Sequence, residues 1–111
     1  MKKILISWTT SWIWQYLACN LSKENEIISI NKSFTKNENI KEIICDLNDI
    51  WNIKNALKNI ENIDYLILNA WVWYFDKFEN IDFENYLKTI NINLTANIAL
   101  VYELLWKINY W

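Results

Sequence analysis

Three tryptophans spaced W-x-x-x-W-x-W stand in Ser7-Trp8-Thr9-Thr10-Ser11-Trp12-Ile13-Trp14, between the apolar run Ile4-Leu5-Ile6 and the start of a helical pattern. Glycines at that spacing would make the turn a phosphate cradle, because bare backbone N–H groups at a helix N-terminus converge on an anion. Read with Gly for Trp, the segment becomes S-G-T-T-S-G-I-G, and Asn69-Ala70-Trp71 becomes N-A-G. The chain has 0 Gly and 8 Trp in 111 residues, where average usage would supply about 7% Gly. Tryptophan therefore matches the missing glycine in number and in place.

The rest of the composition suggests how this arose. Pro and His are absent and all 11 basic residues are Lys, while Ile, Asn and Lys are abundant. The absences fall on residues with GC-rich codons and the excesses on residues with AT-rich ones. UGA is read as glycine in some bacterial lineages and as tryptophan under other code tables, so an AT-rich gene read with the wrong table gives this pattern. Deliberate replacement of glycines would look the same. A genuine Trp-rich interaction protein is the competing reading.

With these positions decoded, the chain resembles the short-chain dehydrogenase/reductase family, whose fingerprints are T-G-x-x-x-G-x-G and N-N-A-G. The resemblance implies an NAD(P)-dependent oxidoreductase that moves a hydride between nicotinamide and a carbonyl or alcohol substrate. It implies cofactor contacts at Ser7, Trp8, Thr9, Ser11, Trp12, Ile13 and Trp14. Asp46 after the third strand would contact the adenine, with Leu47 lining its pocket; an Asx turn leading to a helix capped by Asp49 is the structural alternative. Asn69, Ala70 and Trp71 would lie beside the cofactor ribose, Asn69 also stabilising the sheet. Ile92-Asn93-Leu94-Thr95-Ala96 resembles the family's V-N-x-x-G, in which the asparagine, here Asn93, helps hold a water of a proton relay.

Cofactor choice is read after the second strand. An acid there would take the ribose 2′-hydroxyl of NAD, and a basic residue accommodates the 2′-phosphate of NADP. Asn31-Lys32-Ser33 offers no acid, so NADP(H) is favoured over NAD(H), with Lys32 and Ser33 as phosphate contacts. A solvated loop lysine is the plainer alternative.

The elements that must carry these residues alternate. Strands are predicted at Lys3–Ser7, Glu26–Ile30, Ile40–Cys45 and Ile63–Asn69, the last apolar enough to be covered on both faces. Helices are predicted at Ser11–Ser22, with Ile13, Leu17 and Leu21 on one face, and at Asp49–Ile60, with Ile50, Ile53, Leu57 and Ile60 on one face. A long helix from Phe83 to about Lys107 would carry the stripe Leu87, Ile90, Leu94, Ile98, Val101 and Leu105. This alternation predicts an α/β, Rossmann-like, doubly wound parallel sheet of order 3-2-1-4, with helices on both faces.

Composition serves mostly to exclude. A net charge of -2 gives no electrostatic case for nucleic acid, and no run reaches the ~18 apolar residues of a membrane span. Lys2-Lys3 precedes too short an apolar run for a signal peptide, so a cytoplasmic protein is expected. Without histidine, Cys19 and Cys45 are expected to be buried free thiols rather than zinc ligands. The resemblance implies a small-molecule carbonyl or alcohol substrate, and a possible homo-oligomer through the long helix carrying Asn93; the apolar stripe could equally face the sheet.

The family's general base, the tyrosine of Tyr-x-x-x-Lys, has no counterpart. Four places after the tyrosines stand Asn20, Asn69, Phe78, Ile90 and Trp106, and Tyr110 lies too near the end. Residues 1–111 are accordingly expected to form an incomplete, N-terminal cofactor-binding part of the family domain, truncated after the long helix and inactive by itself. Lys107-Ile108-Asn109-Tyr110-Trp111 would be the turn before a fifth strand. A non-catalytic NADP-binding regulator is the alternative. In either case bulk matters: indoles at Trp8, Trp12 and Trp14 are expected to fill the pyrophosphate site, since overpacking costs roughly 1–3 kcal/mol per site.

Overall fold

The computed structural model describes residues 1–8, 12–33 and 37–109. β1 (Lys3–Ser7), β2 (Glu26–Asn31), β3 (Ile40–Ile44) and β4 (Tyr65–Leu68) form one sheet in the order β3-β2-β1-β4. Every pairing is parallel, so the expected topology holds. The inner strands are the apolar ones: β1 and β2 are buried along nearly their whole length, as parallel strands covered on both faces must be. β4 departs from expectation. Its place at the end of the order is the expected one, but it is not fully covered: Tyr65 and Leu68 are exposed, although Leu66 and Ile67 pack on opposite faces.

Two unequal layers cover the sheet. On one face, Leu5, Ile28 and Ile30 meet α2 (Ile50–Ala56) through Ile53, and the long helix through Ile92, Ala96, Leu100 and Leu104. On the other, Ile4, Ile6 and Ile27 meet α1 (Trp12–Leu21) through Trp14, Ala18 and Leu21, with Trp8 buried among them. The expected stripe on α1 is therefore rotated: Ile13 and Leu17 are exposed. This helix has apolar side chains around most of its circumference, so spacing alone did not identify the face that meets the sheet.

The long helix runs as α3 (Phe83–Ile90), a π-turn (Asn91–Thr95) and α4 (Ala96–Leu104), then a last 3₁₀ turn (Leu105–Lys107). Of the two orientations open to its stripe, the one facing the sheet is not taken. Leu94 and Ile98 are 58% and 60% exposed, whereas Ile92, Ala96, Leu100 and Leu104 are buried. Residues two apart lie roughly 200° apart around a helix of 3.6 residues per turn, so the buried seam is nearly opposite that stripe. After the helix, Ile108 forms a parallel bridge with Ile63. The Ile63 N–H donates to the Lys107 carbonyl (2.9 Å) and the Asn109 N–H to the Ile63 carbonyl (2.8 Å), which places the chain beside β4 at the position of a fifth strand. Among the described residues no helix is long and apolar enough to cross a membrane.

Candidate functional site

In an open parallel sheet, side chains just beyond the carboxyl ends of the strands face a common crevice. Here all four ends contribute to one cavity of about 160 Å³. Trp8 follows β1, Asn31 and Lys32 end β2, Cys45, Asp46 and Leu47 follow β3, and Ala70 and Val72 follow β4. Lys88 and Ile92 close it from the long helix. Of the residues expected from the sequence, Trp8, Asn31, Lys32, Asp46, Leu47 and Ala70 are thus brought together. Cys45, Val72, Lys88 and Ile92 were not among the expected cofactor contacts. The spacing of Lys88 and Ile92, one turn apart on the long helix, was the available signal.

Hydrogen bonds set the shape of the cavity. Asp46 makes an Asx turn, its Oδ1 accepting from the Asn48 N–H at 2.9 Å, while its Oδ2 lies 3.8 Å from the Lys32 ammonium. Asp49 stands at the N-cap position of α2 but makes no side-chain capping bond. Asn31 is buried, and its Nδ2 donates to the Ser33 carbonyl at 2.7 Å, which turns the chain sharply at the end of β2. Ser7 is buried too. Its hydroxyl accepts from the N–H groups of Asn69 (3.1 Å) and Ala70 (3.4 Å), tying the end of β1 to the segment after β4.

Asn93 lies in the π-turn and brackets one residue of that same segment. Its Oδ1 accepts from the Val72 N–H at 2.8 Å and its Nδ2 donates to the Val72 carbonyl at 2.7 Å. Two residues earlier, the Asn91 amide donates to Asn48 Oδ1 at 3.0 Å. Single-turn π segments recur at functional sites, and this one fastens the long helix to the loops after β3 and β4. Asn93 does not line the cavity; it lies along an apolar groove with Leu68, Leu94, Ile98 and Val101. The released Asn93 carbonyl accepts from Asn97 Nδ2 at 3.1 Å.

The remaining expected residues are scattered. Thr9 and Ser11 lie outside the described residues, and Trp12 opens α1. Trp14 packs between α1 and the sheet, Ile13 and Trp71 are exposed, and Ser33 is exposed with its carbonyl engaged by Asn31. Asn69 Nδ2 and Trp8 Nε1 are buried without a partner among the described residues. An unmet buried donor costs roughly 1–3 kcal/mol. The two cysteines differ: Cys45 is buried, Cys19 only half-buried. Burial first, and then the carboxylates of Asp46 and Asp49, push the Cys45 thiol pKa up, against a lowering contact from the Asn52 amide.

Whether these residues suit a dinucleotide depends on the part considered. The adenosine end fits, with apolar walls at Leu47, Val72 and Ile92 and a carboxylate and ammonium groups at the rim. The β1 end does not. Trp8 is only 2% exposed and wedges its indole between α1, β1 and β2, where a glycine would leave open backbone. The cavity is also smaller than the ~300–1,000 Å³ of ordinary small-molecule sites.

No protein-family model matches the sequence, and no curated protein matches it. Solved structures do match. A short chain dehydrogenase family protein from Francisella tularensis is 25% identical with TM-score 0.79, over 98% of this chain and 47% of that one. A 4-hydroxyisoleucine dehydrogenase solved with NADH is 22% identical with TM-score 0.82, over 93% and 48%. L-Sorbose reductase from Gluconobacter frateurii, solved with NADPH and L-sorbose, is 14% identical with TM-score 0.81, over 96% and 47%. The chain spans about half the length of these structures. Over more than nine-tenths of its own length the chain is therefore similar in fold to the cofactor-binding half of short-chain dehydrogenases/reductases.

Proposed function

We propose that this chain is the cofactor-binding part of an NAD(P)-dependent oxidoreductase that acts on a small carbonyl or alcohol substrate and prefers NADP(H). The observation that carries the reading is the convergence of four strand ends on one cavity, with Lys32 at the end of β2 and no carboxylate at residues 31–33. When bound, the nicotinamide supplies or accepts the hydride. Leu47, Val72 and Ile92 would hold the adenine and Lys32 a 2′-phosphate, at the cost of loosening its pairing with Asp46. Asn93 holds the segment after β4 in place through Val72. Nothing in residues 1–111 supplies the Tyr-x-x-x-Lys that would handle the substrate proton, so this chain alone turns over no substrate. In this reading the protein is cytoplasmic and pairs with a second copy through the long helix, and the exposed Leu94 and Ile98 support that pairing.

Calorimetric titration tests the cofactor reading with two proteins: the chain as it stands, and one with glycine at positions 8, 12, 14 and 71. The restored chain should bind NADPH more tightly than NADH, and the chain as it stands should bind neither tightly. Neither should reduce a carbonyl. Tight NADPH binding by the Trp-bearing chain would show that the indoles belong to the site. Equal or better binding of NADH by the restored chain would remove the argument from Lys32.

A further inference from the structure

The described lining of the cavity beyond the strand ends carries two ammonium groups, Lys32 and Lys88, and one carboxylate, Asp46. Asp46 is already paired with Lys32 at 3.8 Å. Lys88, half-buried on α3 one turn before Ile92, has no ion-pair or hydrogen-bond partner among the described residues. An unpaired ammonium beside apolar walls gives the cavity a net positive charge. Partial burial also weakens solvent and salt screening of that charge. The helix that carries Lys88 is held at this height by the Asn91–Asn48 bond and by the two Asn93–Val72 bonds.

We propose that Lys88 is a second specificity-determining residue of this site: it binds the phosphate of a phosphorylated adenosine from the helix side, while Lys32 binds it from the β2 side. The inference rests on the NADP(H) reading above and adds a residue to it. It also explains how the site tolerates the Lys32–Asp46 pair. Lys32 alone would bring one charge already half neutralised, whereas Lys88 brings one that is free. The base lies against Leu47, Val72 and Ile92, and the phosphate lies at the rim. This end of the cavity does not need the β1 turn, so it is available in the chain as it stands, Trp8 included.

The test uses that chain with adenosine and adenosine 2′-monophosphate as probes, neither of which reaches the pyrophosphate turn. Binding is followed by titration and by the shift of the Trp8 indole N–H resonance, since Trp8 lines the cavity. Lys88→Met should weaken the 2′-monophosphate about fivefold, the effect of one partly exposed charge pair, and leave adenosine unchanged. Lys88→Arg should restore most of the loss, and raising the salt concentration should shrink it. An equal loss for both probes would mean that Lys88 only shapes the pocket, which overturns the proposal. No loss with Lys88→Met, alongside a clear loss with Lys32→Met, overturns the role of Lys88 and leaves the NADP(H) reading intact. If the parent chain binds the 2′-monophosphate no better than adenosine, both fall.

Discussion

Two helical segments cover the same face of the sheet, and they respond differently to a reading of their spacing. In α2 and the turn after it the expected face is the observed one, though the helix itself stops at Ala56: Ile53, Leu57 and Ile60 are buried and Ile50 is partly so. In the long helix the expected face is exposed and the opposite one is buried. The difference lies in what surrounds the apolar residues. Around Ile53, positions 52, 54 and 55 are Asn, Lys and Asn, so only one stripe can be driven out of water. The long helix carries Leu94, Ile98 and Val101 on one side and Ile92, Ala96, Leu100 and Leu104 on the other. The side with the small Ala96 lies against the sheet, where the backbone can approach closely. The π-turn tethers to Asn48 and Val72 then hold that rotation. Periodicity identifies a face when there is one apolar face to find; with two, packing decides.

The largest effects should come from truncating the two sides of the long helix. Leu100 is fully buried, so Leu100→Ala should cost roughly 2–5 kcal/mol by urea denaturation, as Leu57→Ala should just after α2. Ile98→Ala should stay within about 0.5 kcal/mol. Comparable losses at positions 98 and 100 would erase the distinction between the two faces. Ile98→Glu should leave the fold intact and lower any self-association measured by sedimentation; undiminished association would remove the exposed stripe from the pairing surface.

A smaller effect is expected at the tether that α2 lacks. Asn93→Ala removes both bonds to Val72 and should cost about 1–2 kcal/mol, given roughly 0.5–1.5 kcal/mol net per hydrogen bond. Hydrogen exchange should report the loss at residues 71–75 before it appears in α2. Uniform loosening of both regions would mean that the π-turn is incidental to the loop.

The smallest effect concerns the strand that leaves the long helix. The Lys3 backbone N–H at 2.8 Å and the Asn109 side-chain amide at 3.1 Å hold the Asp64 carboxyl pKa below its ordinary value. A carboxylate whose folded pKa is lowered stabilises the fold above its unfolded pKa of about 4. That stability is lost as pH falls through the folded value. Thermal unfolding followed between about pH 6 and pH 3 should therefore show a slightly steeper acid decline in the parent than in Asp64→Asn. Identical acid profiles would exclude this contribution.

Much of the site could be read from residue order. Asn31-Lys32, Asp46-Leu47 and Ala70 each lie within three residues of a strand end, and parallel strands bring such positions to one edge whatever their distance in sequence. Lys88 was hidden because, apart from standing one turn before Ile92, nothing in its own neighbourhood distinguishes a lysine over a cavity from one in water. The resemblance to known proteins divides in the same way. Backbone geometry shows it at TM-scores near 0.8, while the fingerprint positions hold tryptophan.

By itself the sequence determined the four strands, their parallel order, the helices between β1 and β2 and between β3 and β4, and the single apolar face of α2, because local spacing and the limited menu of βαβ connections leave few alternatives. Only the tertiary structure decided which face of α1 and of the long helix is buried, that β4 keeps Tyr65 and Leu68 exposed, and that Asn93 grips Val72 rather than lining the cavity. It also decided where the Trp8 indole goes, into the wedge between α1 and the sheet. Each of these depends on competition between surfaces distant in sequence, and the free energy of burial belongs to the pair of surfaces that meet.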